Sequence, residues 1–141
     1  MKTTNKIMTN EEIYSLALGM SNNFNDNEIY MPAAIAYSIQ KNKKVLLEIA
    51  EEIELTRMNI IQHYGEIQEN GQYLVRKENI DKANKELEEL LSIQQEIKIY
   101  LCPIEAFDDI KFTSIQMGAI MFMIDEDWGK WYKDKKEDKL C

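Results

Sequence analysis

The sequence is poor in the residues that build most active sites. It holds one histidine, two cysteines, five glycines and two prolines in 141 residues. A single histidine argues against a Ser-His-Asp triad and against metal sites that need several imidazoles. Five glycines leave little material for a phosphate-cradling loop. The two cysteines, Cys102 and Cys141, make no disulfide framework and read as reduced thiols. Cys102 follows an apolar run and precedes Pro103, which reads as a buried structural thiol.

Arginine is scarce as well. Of 17 basic residues only Arg57 and Arg76 are arginines, against 25 acids, for a net charge of -8. Arginine is the preferred contact for phosphate and guanine, and an acidic chain is repelled by a nucleic-acid backbone, so direct nucleic-acid binding is disfavoured. No apolar run approaches the ~20 residues of a membrane span. The segment Met1–Ile7 lacks the apolar stretch of a secretory signal, which gives a cytoplasmic location as the expectation. No cofactor and no metal is implied, and an enzyme is not the expected class.

What is present is the material of a globular domain, 45% hydrophobic and 30% charged. Thr9-Asn10-Glu11-Glu12 is a capping box, and Ile13, Leu16, Ala17 and Met20 follow at helical spacing. The polar run 21–27 predicts a loop. Pro32 opens a second helix that meets no glycine or proline before Gly65. Along it Ile35, Ile39, Asn42, Leu46, Ile49, Ile53, Thr56, Ile60 and His63 alternate by four and three, a heptad seam with polar interruptions. Such a helix is about 50 Å long at 1.5 Å per residue, and a break near Asn42 is the alternative. Asn70-Gly71 between short β-capable runs predicts a hairpin. Helical period returns from about Glu78 to Glu96, and Ile97–Leu101 reads as a strand able to join the hairpin. A second capping box, Thr113-Ser114-Ile115-Gln116, opens a very apolar helix (113–125) expected at the centre of the core.

The expected fold class is α+β and mostly helical. Two long antiparallel helices (32–64 and 78–96) pack with two shorter ones and a small antiparallel hairpin or sheet. The expected organisation is one helical domain over 1–127 and a charged, aromatic-containing tail over 128–141.

Candidate chemistry is thin. Glu48, Glu51 and Glu52 share one helix face, read as solvated in the absence of the Glu-x-x-His pairs that a di-iron site needs. His63 reads as a core or helix-end histidine, favoured there by the helix dipole. Met117, Met121 and Met123 read as core filling, with an adaptable binding surface as the alternative. Asp125, Glu126 and Asp127 are like charges at a helix C-terminus, where the dipole disfavours them. That marks either a functional surface or the wet end of a buried helix. Trp128, Trp131 and Tyr132 share a face if the tail is helical, and these residue types often anchor interfaces. Packing back onto the core is the equal alternative. With Asp108 and Asp109, these three acids and three aromatics are the candidate partner-binding residues.

Several stretches carry a resemblance. Tyr30-Met31-Pro32-Ala33 runs into Ser38-Ile39-Gln40-Lys41-Asn42. Ala50-Glu51-Glu52-Ile53-Glu54 follows with Arg57, then Tyr64-Gly65-Glu66. Thr113-Ser114-Ile115-Gln116-Met117 leads to Met121-Phe122-Met123-Ile124-Asp125. Together, over most of 8–126, they resemble a family of small uncharacterised proteins from phages and prophages of low-GC Gram-positive bacteria. The resemblance implies a phage origin and a site of action in the host cytoplasm, and it carries over no catalytic residue. With the acidic balance it gives the functional expectation: a phage accessory protein acting by stoichiometric protein–protein binding. The expected partner is a host or phage protein. The first candidate is a CRISPR effector or other defence nuclease whose basic nucleic-acid-binding groove meets the acidic surface. The alternative is a tail or baseplate component or an assembly chaperone, with the heptad seam helping to set a homo-oligomer.

Overall fold

The computed structural model describes residues 1–24 and 30–125. Along them run β1 (Thr3–Thr9), α1 (Asn10–Asn23), α2 (Ala33–Tyr64), β2 (Gly65–Ile67), β3 (Tyr73–Val75), α3 (Ile80–Ser92), β4 (Gln94–Tyr100) and α4 (Ser114–Ile120). Single 3-10 turns precede α3, follow β4 and extend α4. The class is the expected one, mostly helical α+β with a small β component.

Several element bounds differ from the sequence reading. α2 is one continuous helix of 32 residues, with no break at Asn42. α3 stops at Ser92, four residues short of Glu96, because Ile93 turns extended (φ -61°, ψ 129°) to enter β4. β4 does not join the hairpin. It pairs with β1, and β2 pairs only with β3. The N-terminal segment is therefore a strand, although Thr3-Thr4-Asn5-Lys6 shows no apolar alternation. Its partner supplies what its sequence lacks. Backbone bonds from Leu101 N to Lys2 O (2.9 Å) and from Asn10 N to Ile93 O (2.8 Å) make the pair antiparallel.

By contact, the described residues of 1–6, 19–24, 30–44 and 98–125 group into one compact unit, and residues 7–18 and 45–97 into a second. In the first, Met20, Ile35, Ile39, Ile99, Ile120 and Met123 are buried. Asn42 is buried among them, and its amide is fully used. Nδ2 donates to Tyr100 O (2.9 Å) and Oδ1 accepts from Tyr100 N (2.8 Å). The polar interruption of the seam is thus a clamp from α2 onto the end of β4. Cys102 is 1% exposed, as its sequence context suggested, and burial pushes its thiol pKa up.

The apolar helix after Thr113 departs from expectation. Thr113 and Gln116 do form the reciprocal capping box. Yet α4 ends at Ile120 and tightens into a 3-10 turn over Met121–Met123. Ile115 is 71% exposed and Met121 54%, so this element is not wholly core. The helix stops because Ile124 goes extended to bridge Cys102 in parallel. Cys102 N donates to Met123 O, and Asp125 N to Cys102 O, each at 2.9 Å.

In the second unit Met8, Ile13, Ala17, Leu46, Ile53 and Leu90 are buried. Thr9 caps α1 by accepting from Glu12 N at 3.2 Å. Asn10, 3% exposed, ties the helix ends together. Its Nδ2 donates to Leu90 O (2.8 Å), and its Oδ1 accepts from Gln95 Nε2 (2.6 Å). At the other end of α3, Gly65 turns α2 directly into β2. A Cβ there would lie 2.7 Å from Ile61 O and 3.1 Å from Leu74 O, so only glycine fits. It stops the helix by close approach and not by a left-handed cap. Gly71 does take a left-handed conformation (φ 82°) and closes the Asn-Gly hairpin, with Glu66 opposite Leu74.

Candidate functional site

Folding redistributes the charge. The unit made of 7–18 and 45–97 holds 14 of the acids and only five bases, a net -9. The described residues of the other unit hold four acids and seven bases, at +3. Cut along the chain, the acidic excess appears in the second half. Sorted by the fold, the acidic excess of the described residues is in one unit.

Ten of the 14 acids of that unit stand on α-helices. Glu48, Glu51 and Glu52 are exposed on one face of α2, as their spacing predicted. Glu11 and Glu12 are exposed in the first turn of α1, where the helix dipole favours them. On α3, Glu86 and Glu89 face the Tyr64 hydroxyl. The hydrogen bond to Glu86, with burial and the two carboxylate charges behind it, pushes the Tyr64 pKa up.

α1, α2 and α3 also line a groove of about 420 Å³. α1 contributes Glu11, Tyr14, Ser15 and Leu18; α2 contributes Ile53, Glu54 and Arg57; α3 contributes Leu91. Its floor is apolar: Ile53 is 4% exposed, and Leu18 on the rim is 47% exposed. One wall is a closed polar cluster. Arg57 grips Glu54 with two donors, Nε to Oε2 at 2.9 Å and Nη2 to Oε1 at 2.5 Å. The Tyr14 hydroxyl donates to the same Oε2 at 3.4 Å. The Arg57 hydrogen bond holds the Glu54 carboxyl below its ordinary range, and Glu54 in turn raises Arg57.

The candidates singled out from sequence lie elsewhere. Asp108 and Asp109 are exposed on the turn after the 3-10 segment Ile104–Phe107. Asp125 is engaged within the chain, because Lys2 Nζ donates to both its oxygens at 3.1 and 3.0 Å. Glu126, Asp127, Trp128, Trp131 and Tyr132 lie outside the described residues. Asp108, Asp109 and Asp125 belong to the other unit. Of the two readings of His63, core or helix end, the helix end holds. His63 is exposed at the end of α2, with its ring edge-on to Tyr64 at 4.6 Å. Of the three methionines only Met123 is buried, where it accepts from Asn42 Nδ2 at 3.4 Å.

The groove residues were not selected from sequence. The pair Glu54 and Arg57 is visible there as an i, i+3 ion pair. Tyr14, 40 positions away from Glu54, carries no signal that would join it to them. Among the described residues, no group of three or more His, Cys, Asp or Glu is placed to hold a metal ion. No described helix is long and apolar enough to cross a membrane. Compared with family models, with curated proteins and with solved structures, the chain finds no match.

Proposed function

We propose that this protein acts by stoichiometric binding to another protein, and that the acidic unit provides the contact surface. The observation that carries this is the concentration of a net -9 in the unit of 7–18 and 45–97. Acids fixed on helices present charge without the entropy cost of ordering a loop. A basic surface meets them by steering first and by close contact afterwards. The resemblance to phage and prophage proteins supports a phage accessory role. A host defence nuclease fits as target, since its nucleic-acid groove is a basic surface of the right sign.

The test uses the tagged full-length chain on lysate of a phage-susceptible host. Mass spectrometry of what is captured is followed by nuclease assays on the captured enzyme. Capture and inhibition of a nuclease is the expected result. Reversal of Glu48, Glu51 and Glu52 to Lys abolishes inhibition, whereas reversal of Asp108 and Asp109, which are not part of the acidic unit, leaves it within about threefold. Absence of any nuclease partner, or equal loss in both variants, overturns the reading.

A further inference from the structure

We infer that the groove between α1, α2 and α3 is an anchor pocket for a basic amphipathic helical segment of a partner protein. The inference rests on the proposed role of the acidic unit and names what that unit grips. Three features fix the occupant. Leu18, Ile53 and Leu91 offer an apolar surface, with Leu18 47% exposed and uncovered by its own unit. A half-exposed leucine on the rim of a concave, apolar-floored site gains by being covered. The groove lies within the unit of net -9, so the field around it repels anions and attracts cations. Arg57 does not reverse this, since Glu54 holds its guanidinium at two points and Glu11 on the opposite wall remains exposed.

An occupant must therefore place apolar side chains inward and positive charge outward. A helix with apolar residues at i, i+3, i+4 and i+7 and lysines or arginines elsewhere does both. Its apolar side chains enter beside Leu18 and Ile53. Its cations then lie against the exposed Glu11 on the rim. The Tyr14–Glu54–Arg57 cluster keeps the wall in place, because each polar end in it already has a partner.

The experiment titrates two labelled synthetic peptides of identical Leu and Lys content with the full-length protein, read by fluorescence anisotropy. One peptide places Leu at i, i+3, i+4 and i+7; the other disperses it. At physiological salt the patterned peptide is expected to bind about tenfold or more tighter, the effect of burying one large apolar side chain. Leu18→Ser removes that preference. Ser15→Trp, which fills the groove from an exposed rim position, removes it independently. Circular dichroism confirms the fold of each variant. Equal binding of the two peptides, or an unchanged preference in both variants, overturns the anchor pocket. If both peptides still bind equally and release with salt, the acidic-surface reading stands without it. If neither binds at low salt, both readings fall.

Discussion

Among the described residues, two asparagines are buried with their side-chain amides paired to backbone. Asn42 and Asn10 are 1% and 3% exposed. Asn42 satisfies both backbone groups of Tyr100, and Asn10 joins the start of α1 to the last turn of α3 and to Gln95. Neither leaves a polar atom unpaired, and no described buried side-chain nitrogen or oxygen lacks a partner. A buried amide with every bond made specifies one register, and the same amide truncated leaves its partners stranded. Asn42→Ala therefore removes two backbone partners at once and is expected to cost about 2–4 kcal/mol. The cost is read as a fall in the urea midpoint with an unchanged slope. A change below about 0.5 kcal/mol, typical of a surface site, would show the clamp to be dispensable. The ion pair of Glu54 and Arg57 is a smaller matter. Both side chains are more than a third exposed, which limits the pair to about 0–1 kcal/mol. Its pH sense is set by the lowered Glu54 carboxyl. The contribution is present at neutral pH and lost as pH falls through the acid range in which Glu54 protonates.

At the scale of elements, endings matter more than interiors. The periodicities that define α1, α2 and α3 are plain in the sequence, but three of the ends are decided by backbone geometry. α2 passes into β2 at Gly65 because Ile61 O and Leu74 O leave no room for a Cβ. Gly65→Ala places a carbon 2.7 Å from a backbone oxygen that cannot swing away. It is expected to lose about 1–3 kcal/mol and to loosen the hairpin first, seen as faster amide exchange at Glu66 and Leu74 than in α1. Uniform destabilisation with no local change at the hairpin would contradict this. α4 stops at Ile120 because the chain must reach Cys102, and α3 stops at Ser92 because Ile93 begins a strand. The endings of α3 and α4 are each a competition between a locally acceptable helix and a pairing with distant backbone, and in both the pairing prevails.

For the whole molecule the deciding quantity is where the charge goes. Fourteen acids against five bases in one 65-residue unit repel one another at low ionic strength. Sodium chloride raised from about 10 to about 150 mM shortens the screening length from roughly 30 to 8 Å. The thermal midpoint is expected to rise over that range, by a few degrees. A falling midpoint would mean that favourable pairs, not repulsion, dominate the surface. The same salt weakens attraction to a basic partner, so stability and binding move in opposite directions, a signature that calorimetry and anisotropy on one preparation can test.

Composition, capping boxes, the Asn-Gly turn and the 3.6-residue period were enough to establish a mostly helical α+β fold, and the spacing of Glu48, Glu51 and Glu52 placed them on one exposed face. These are local properties, set by neighbours within a turn of helix or a tight loop. The strand character of Thr3–Thr9 was not legible, because it depends on β4 more than 80 positions away. Nor was the role of Asn42, which read as a flaw in a seam until Tyr100 was brought against it. The acids picked out along the chain, Asp108, Asp109 and Asp125, proved to lie outside the acidic unit, and Asp125 was already held by Lys2. Local pattern is written in the order of residues. The groove, the buried amides and the acidic unit each join segments tens of positions apart, and only the tertiary structure decides which distant segments share a neighbourhood and hence a common field.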